Sequence, residues 1–534
     1  MASVTELFLD NQMIEETPGV SRRLHPPRKH LANPVVRRDR WWENTYLQPY
    51  CTMYDHEEKR FKMWMRTGSD QKTGYLDGYA GYTTYLTSAD GVHWEKPEVG
   101  ALEIAGRRDH NIVFTGFEPD TRTRPRKPGV IIPNVQSYQG KKGWLWSVVK
   151  NPKPKNESET YVGVAFMMKR CGAHIATSPD GIHWQRDEDS PFWQTPHDVS
   201  GKGDDALLHL IYDRAKEKWV LYRRIVPEFS ERMIAVEADR EWQGVERYNR
   251  SYAYAESADL HTWKNHKFIL AMDADDPPDT ELYQFACHKF GDTYVGYMSV
   301  FYLSHPQPIN IHLATSRDGI HFTRVCRGQP FVSHGRLGYF DFMAMCCSQP
   351  EPVLFNDTVY VYYAGLNFPH EAIDPPFEQG GVGLVTFKRD RFASLESSET
   401  PVTADRSDNH RTDPRRCCMV TKPFTVKQPN LFLNAATWQE GAIRVEALTR
   451  GWDPIPGFTE PEAHDIRGDA LDFPVRWKDN PNIARLVGKE IRLKFYMRRA
   501  RLYAMTTSDE ERKLRAVEEG DRHDRSGNSI PRRL

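Results

Sequence analysis

Acidic side chains stand just ahead of several β-prone runs: Glu43 in Trp42-Glu43-Asn44, Asp109 in Asp109-His110-Asn111, Asp204 and Asp205 after Gly203, Glu281 after Asp279-Thr280, and Asp341 after Tyr339-Phe340. Two such carboxylates converging on one pocket can cleave a glycosidic bond. One protonates the leaving oxygen while the other attacks the sugar or activates water. Burial and mutual repulsion would raise the proton affinity of the acid and leave its partner ionised. Glu281 is the first candidate for the acid, because Glu-Leu-Tyr leads straight into an apolar strand. Asp205 comes next, then Glu43 as base or nucleophile, with Asp341 and Asp204 as positioning groups. Taken singly, each is more economically read as a turn or backbone cap, since Asp is common before strands. The set carries the argument.

Around these positions Trp41, Trp42, Tyr283 and Tyr339 could stack on sugar faces, and Asp109, His110 and His197 could meet hydroxyls; packing between sheets is the competing role for each aromatic. No His or Cys spacing matches a metal site, and neither metal nor cofactor is expected. The basic run Arg122-Thr-Arg124-Pro-Arg126-Lys127 reads as a solvated loop, with an acidic saccharide as the sharper alternative. Gly380-Gly-Val-Gly383 lacks the Lys-Ser/Thr of a phosphate loop.

The elements that would position these groups announce themselves through a repeat. Ser88-Ala-Asp90-Gly91-Val-His93-Trp94 returns as Ser178 to Trp184, Ser257 to Trp263 and Ser316 to Phe322, each after an apolar β-prone run. Asp-Gly tolerates positive φ, and Ser and Asp side chains can bond nearby amides, so each copy is a hairpin turn with an aromatic packed between sheets. Repeated antiparallel sheets of this kind suggest propeller blades. Counting strand groups gives an all-β chain with a five-bladed propeller over 41–396, its blades opened in order by Glu43, Asp109, Asp205, Glu281 and Asp341. A lead-in at 1–40 packs on the outside of the first blade, and its length allows it to tie the last blade to the first. A polar linker follows at 397–424, then a β-sandwich at 425–506. The charged tail at 507–534 has a short helical stretch at 510–519.

Composition fits. Of 534 residues, 12% are aromatic, and the formal net charge of -1 exerts no global pull toward nucleic acid or an anionic membrane, so neither is expected as a partner. No basic segment followed by an apolar one opens the chain, no apolar run is long enough to span a bilayer, and the eight cysteines lack disulfide spacing, which together predict a soluble cytoplasmic protein, with a mature form whose signal was removed as the alternative. Oligomeric state is left open, a homo-oligomer included.

The five units, their acidic entrances, the Ser-x-Asp-Gly-x-x-Trp hairpins at 88–94 and 178–184 and the appended sandwich together resemble the five-bladed propeller glycosidases, glycoside hydrolase families 32 and 43. The resemblance implies a glycosidase acting on an oligosaccharide or glycoside, with Glu43 standing where invertase-like enzymes place a nucleophilic Asp. A propeller-type transglycosidase or phosphorylase of the mannoside-phosphorylase type and a non-catalytic glycan-binding propeller are the alternatives.

Overall fold

The computed structural model describes residues 3–43, 47–67, 79–104, 106–115, 141–167, 172–186, 193–194, 208–225, 250–304, 307–346, 352–369, 380–397 and 417–517. Within them the chain is all-β, and no helix is long and apolar enough to cross a membrane. Four short strands open it: β1 (Val4–Leu7), β2 (Ile14–Glu16), β3 (Val20–Leu24) and β4 (Arg28–Lys29). Antiparallel units follow, each a meander. The first comprises β5 (Leu47–Asp55), β6 (Arg60–Thr67), β7 (Tyr79–Ser88) and β8 (Ile112–Thr115). The second comprises β9 (Lys141–Lys150), β10 (Tyr161–Met167) and β11 (Gly172–Ser178), with β12 (Gln185–Arg186) and β13 (Trp193–Gln194) both on β11. The third is β14 (Leu208–Asp213), β15 (Lys218–Ile225), β16 (Ser251–Ser257) and β17 (Lys264–Leu270). The fourth is β18 (Thr280–Phe290), β19 (Thr293–Tyr302), β20 (Ile309–Ser316) and β21 (Thr323–Arg324). In the fifth, β22 (Ala344–Cys346) and β23 (Val353–Phe355) flank one edge of β24 (Thr358–Leu366), and β25 (Gly380–Lys388) lies on the other.

Each unit touches the next, and β24 and β25 of the fifth touch β5 of the first. The first strands are stitched together by side chains that bond a neighbour's backbone. Cys51 Sγ donates to the Val148 carbonyl (2.9 Å), the Leu210 amide donates to Ser147 Oγ (3.0 Å), and His209 Nε2 donates to the Cys287 carbonyl (3.0 Å). At the far ends the Ser-x-Asp turns form a second set of ties. In the second copy Ser178 Oγ accepts from the Gly181 amide and Asp180 Oδ1 accepts from the Ile182 and His183 amides, as the turn chemistry requires. The carbonyl of the turn residue is then taken by an aromatic of the preceding unit's second strand. Trp64 Nε1 donates to Gly181 (2.7 Å), the Tyr222 hydroxyl to Gly319 (3.0 Å), and the Tyr362 hydroxyl of the fifth unit to Gly91 of the first (2.6 Å). The repeat thus does its work between units.

The N-terminal segment departs from the expected packing on the first unit. β4 adds to β25, tying the lead-in to the last unit, while β1, β2 and β3 join a sheet made mainly by the C-terminal strands. That sheet holds β26 (Ala393–Ser397), β27 (Cys418–Thr421), β28 (Phe424–Thr425), the long β29 (Asn430–Thr449), β30 (Asp469–Pro474) and β31 (Glu490–Ser508). β29 and β31 pair along nearly their whole length and bend at a shift between Thr437 and Ala442. Two of these strands, β27 and β28, fall inside the span expected to be linker. Residues 510–517 of the stretch expected to be helical carry no helix, and Ala516 bridges to Ala470; 518 and 519 lie outside the described residues. Arg389 and Arg391 join this sheet to the fifth unit through Asp472 (2.7 Å) and Asp469 (2.6 Å).

Candidate active site

Antiparallel connectivity fixes which side chains can meet at the end where each first strand begins. The last residues of a unit's second strand and the first residues of its third return to that end. In the third unit, Tyr222 and Arg224 of β15 share one face with their partners Tyr254 and Tyr252 of β16. The Tyr252 hydroxyl donates to the Gln284 carbonyl (2.8 Å), so this face lies against β18. Arg250 continues the face two residues before Tyr252, and its Nη1 donates to Oε2 of fully buried Glu281, the second residue of β18. The guanidinium of Arg224 lies 5.0 Å from the centroid of the Tyr283 ring, a cation–π contact. One carboxylate, two arginines and a half-buried aromatic therefore meet at the beginning of the fourth unit.

A β-bulge aims this group. Leu282 pairs with Val300 and Phe285 with Met298, so Tyr283 and Gln284 together oppose Ser299. The extra residue breaks the ladder and turns the strand, a device common beside functional sites. The first strands of the first two units bulge as well, at Tyr50 and Trp146, whose rings lie 4.5 Å apart. There too the second strand supplies an arginine: Arg66 stacks on Trp144 at 3.8 Å and donates to Gln48 Oε1 (3.0 Å). Arg66 and Arg224 each stand two residues after the aromatic that locks the next unit's turn. That aromatic-x-Arg pattern, Trp64-Met65-Arg66 and Tyr222-Arg223-Arg224, is the sequence signal by which Arg66 and Arg224 could have been found.

The other expected site residues have different settings. Glu43 is buried, but its Oε2 accepts from the amides of Asp39 (3.0 Å) and Arg40 (3.2 Å) and from Lys96 Nζ (2.7 Å). Lys96 also bonds the Arg37 carbonyl (2.8 Å) and Asp39 (2.6 Å), so the group pins the 37–43 turn. Burial pushes the Glu43 carboxyl above its ordinary range, and Lys96 opposes the rise. Asp341 accepts from Lys29 Nζ (2.5 Å) and from the Tyr363 hydroxyl (2.8 Å), and its carbonyl takes the Gly335 amide (2.9 Å); it anchors the loop ahead of β22 to the N-terminal lead-in. Tyr339 sits on that loop at 59% exposure. Among the described residues, then, Glu43, Glu281 and Asp341 form separate ion pairs with Lys96, Arg250 and Lys29.

Asp109 does not open the second unit. It precedes β8, the outer strand of the first, where Arg107 grips it at the surface and holds its carboxyl down to about 2. His110 is buried edge-on to Trp42 (6.0 Å), and burial lowers its proton affinity. Trp42 is itself buried, with Nε1 donating to Asn111 Oδ1 (2.8 Å); it packs the first unit instead of facing a ligand. Trp41 lies under the Arg107 guanidinium at 4.6 Å. Asp204, Asp205, His197 and the basic run at 122–127 lie outside the described residues. Among the described residues no group of three or more His, Cys, Asp or Glu is placed to hold a metal ion.

No protein-family model matches the chain. No curated protein matches it either. Solved structures do. A structure from the GH130 family of mannoside phosphorylases, which contains glycoside hydrolases that target β-1,2-mannosidic linkages in Candida mannan, is 14% identical over 72% of this chain and 96% of that chain, with a TM-score of 0.40. A β-1,2-mannobiose phosphorylase from Listeria innocua, in complex with β-1,2-mannobiose, is 10% identical over 67% of this chain and 96% of its own, with a TM-score of 0.40. A GH32 β-fructofuranosidase from Bombyx mori is 11% identical over 92% of this chain and 94% of its own, with a TM-score of 0.36. Similarity at this level fixes neither family nor reaction.

Proposed function

We propose that the antiparallel units are the blades of a five-bladed propeller followed by a β-sandwich, and that the protein cleaves a glycosidic bond at the mouth of the propeller. The observation that carries this reading is Glu281, buried at the start of a first strand with Arg250 on its Oε2 and the Arg224–Tyr283 pair beside it. Arginine offers only donors, so Oε2 acts as an acceptor. Glu281 is therefore assigned the role of nucleophile or base, in place of the acid role expected from sequence. Asp205 is its proposed partner as proton donor: it lies three residues before β14, whose strand touches β18. In this scheme Asp205 gives its proton to the leaving oxygen as the C–O bond breaks, and the sugar is captured by Glu281 or by a water that Glu281 deprotonates. Tyr283 offers an aromatic face for the ring. Glu43 and Asp341 hold the scaffold.

A second reading is favoured by the two arginines at this point, Arg250 on the Glu281 carboxylate and Arg224 on the Tyr283 ring, since guanidinium groups are the chemistry that would seat inorganic phosphate as attacking nucleophile. A panel of aryl-glycosides and oligosaccharides, assayed with and without phosphate, separates the two. Hydrolysis predicts turnover independent of phosphate; phosphorolysis predicts a sugar phosphate product. Full activity in both the Glu281→Gln and Asp205→Asn variants would overturn either reading.

A further inference from the structure

A cleft of about 370 Å³ opens between the outer parts of the first and second units. It lies at the end away from Glu281, where the third strand of the second unit runs into its Ser-x-Asp turn. Leu102, Val113 and Ile182 supply apolar walls, Trp184 an aromatic one, and His183 and Gln185 part of a polar rim. Trp184 is fixed in place. Its Nε1 donates to the Gly181 carbonyl (2.9 Å), and one edge packs on Gly163, where an added Cβ would lie 3.0 Å from Cζ3. His183 is fixed as well: Nδ1 donates to Asp180 Oδ2 at 2.7 Å, which leaves Nε2 as the ring atom open to a ligand. Gln185 is exposed and held in register with Thr177, another wall residue.

An immobile aromatic beside a rim that both donates and accepts hydrogen bonds suits a pyranose, which has an apolar C–H face and an equator of hydroxyls. An aliphatic ligand would gain nothing from the rim groups, which water would continue to serve. We propose that this cleft is a second, non-catalytic carbohydrate site that takes roughly one or two sugar rings, as its volume at the small end of ligand pockets allows. The choice of ligand class rests on the carbohydrate reading above; the site itself is independent of Glu281.

The test is calorimetric titration of the full-length Glu281→Gln protein, in which the reading above removes turnover, with a panel of hexoses and disaccharides and with sorbitol as an open-chain control. Combining Glu281→Gln with Leu102→Trp, which fills the cleft, or with His183→Ala at the exposed rim is expected to weaken one class of sites at least tenfold. A site at Glu281 would remain as a second class. If the catalytic reading fails and the cleft stands, a single class is seen and both substitutions abolish it. Unchanged isotherms in both double variants, no binding of any sugar, or equal binding of sorbitol would each overturn the proposal.

Discussion

Replacing Gly181 with alanine should cost far more than the same change at Gly100, although both residues adopt positive φ, +79° and +63°. The shared penalty is the left-handed backbone, about 1–2 kcal/mol for an L-residue. Gly100 adds nothing, because a Cβ there meets no atom within 4 Å. At Gly181 the Cβ would stand 2.5 Å from Trp64 Cζ2, well inside the roughly 3.5–4.0 Å of a carbon contact. Trp64 cannot yield cheaply. It is fully buried, its Nε1 is bonded to Gly181 itself, and its ring is wedged against Tyr85 and Tyr161 at 5.5 and 5.7 Å. Overpacking of this kind typically costs about 1–3 kcal/mol, so Gly181→Ala should lose roughly 2–5 kcal/mol where Gly100→Ala loses about 1–2. Urea unfolding followed by tryptophan fluorescence, both variants beside the parent, reads the difference as a shift in midpoint. Equal midpoints for the two variants would refute the claim that the motif glycines are the sites where adjacent units lock.

Tyr362→Phe removes the bond from the last unit to Gly91 and leaves a buried carbonyl unpaired, so about 1–2 kcal/mol should be lost by the same assay, with no comparable loss for Tyr339→Phe on the exposed loop. Acid should destabilise the fold through His209 and His312, whose proton affinities burial pushes down to about 4. Between that value and the ordinary 6.5 the unfolded chain binds protons that the folded one does not, so stability falls as pH drops through the window, by roughly 3 kcal/mol at most per group. His209→Gln should flatten the slope of unfolding free energy between pH 6.5 and 4; an unchanged slope contradicts the assignment.

The Ser-x-Asp hairpins were legible because their chemistry is local: a serine and an aspartate serve amides two and three residues away. The site was legible in part. Glu281 and Tyr283 announce themselves as polar and aromatic residues opening an apolar run. Their arginines do not, because Arg224 reaches Tyr283 across two different units and nothing in either local pattern shows the pairing. Asp109 was misplaced because an apolar run after a carboxylate reads alike whether it is the outer strand of one unit or the inner strand of the next. The N-terminal strands pair with residues near the other end of the chain, Thr5 with Thr506 among them, and strand periodicity carries no information about so distant a partner.

The most direct test of the central claim is product formation from a glycoside panel by the parent protein and by Glu281→Gln, with folding checked by the urea midpoint. A catalytic Glu281 predicts turnover in the parent and a loss of at least a thousandfold in the variant at an unchanged midpoint. Equal turnover in the two proteins, or none by the parent on any glycoside with or without phosphate, would contradict it.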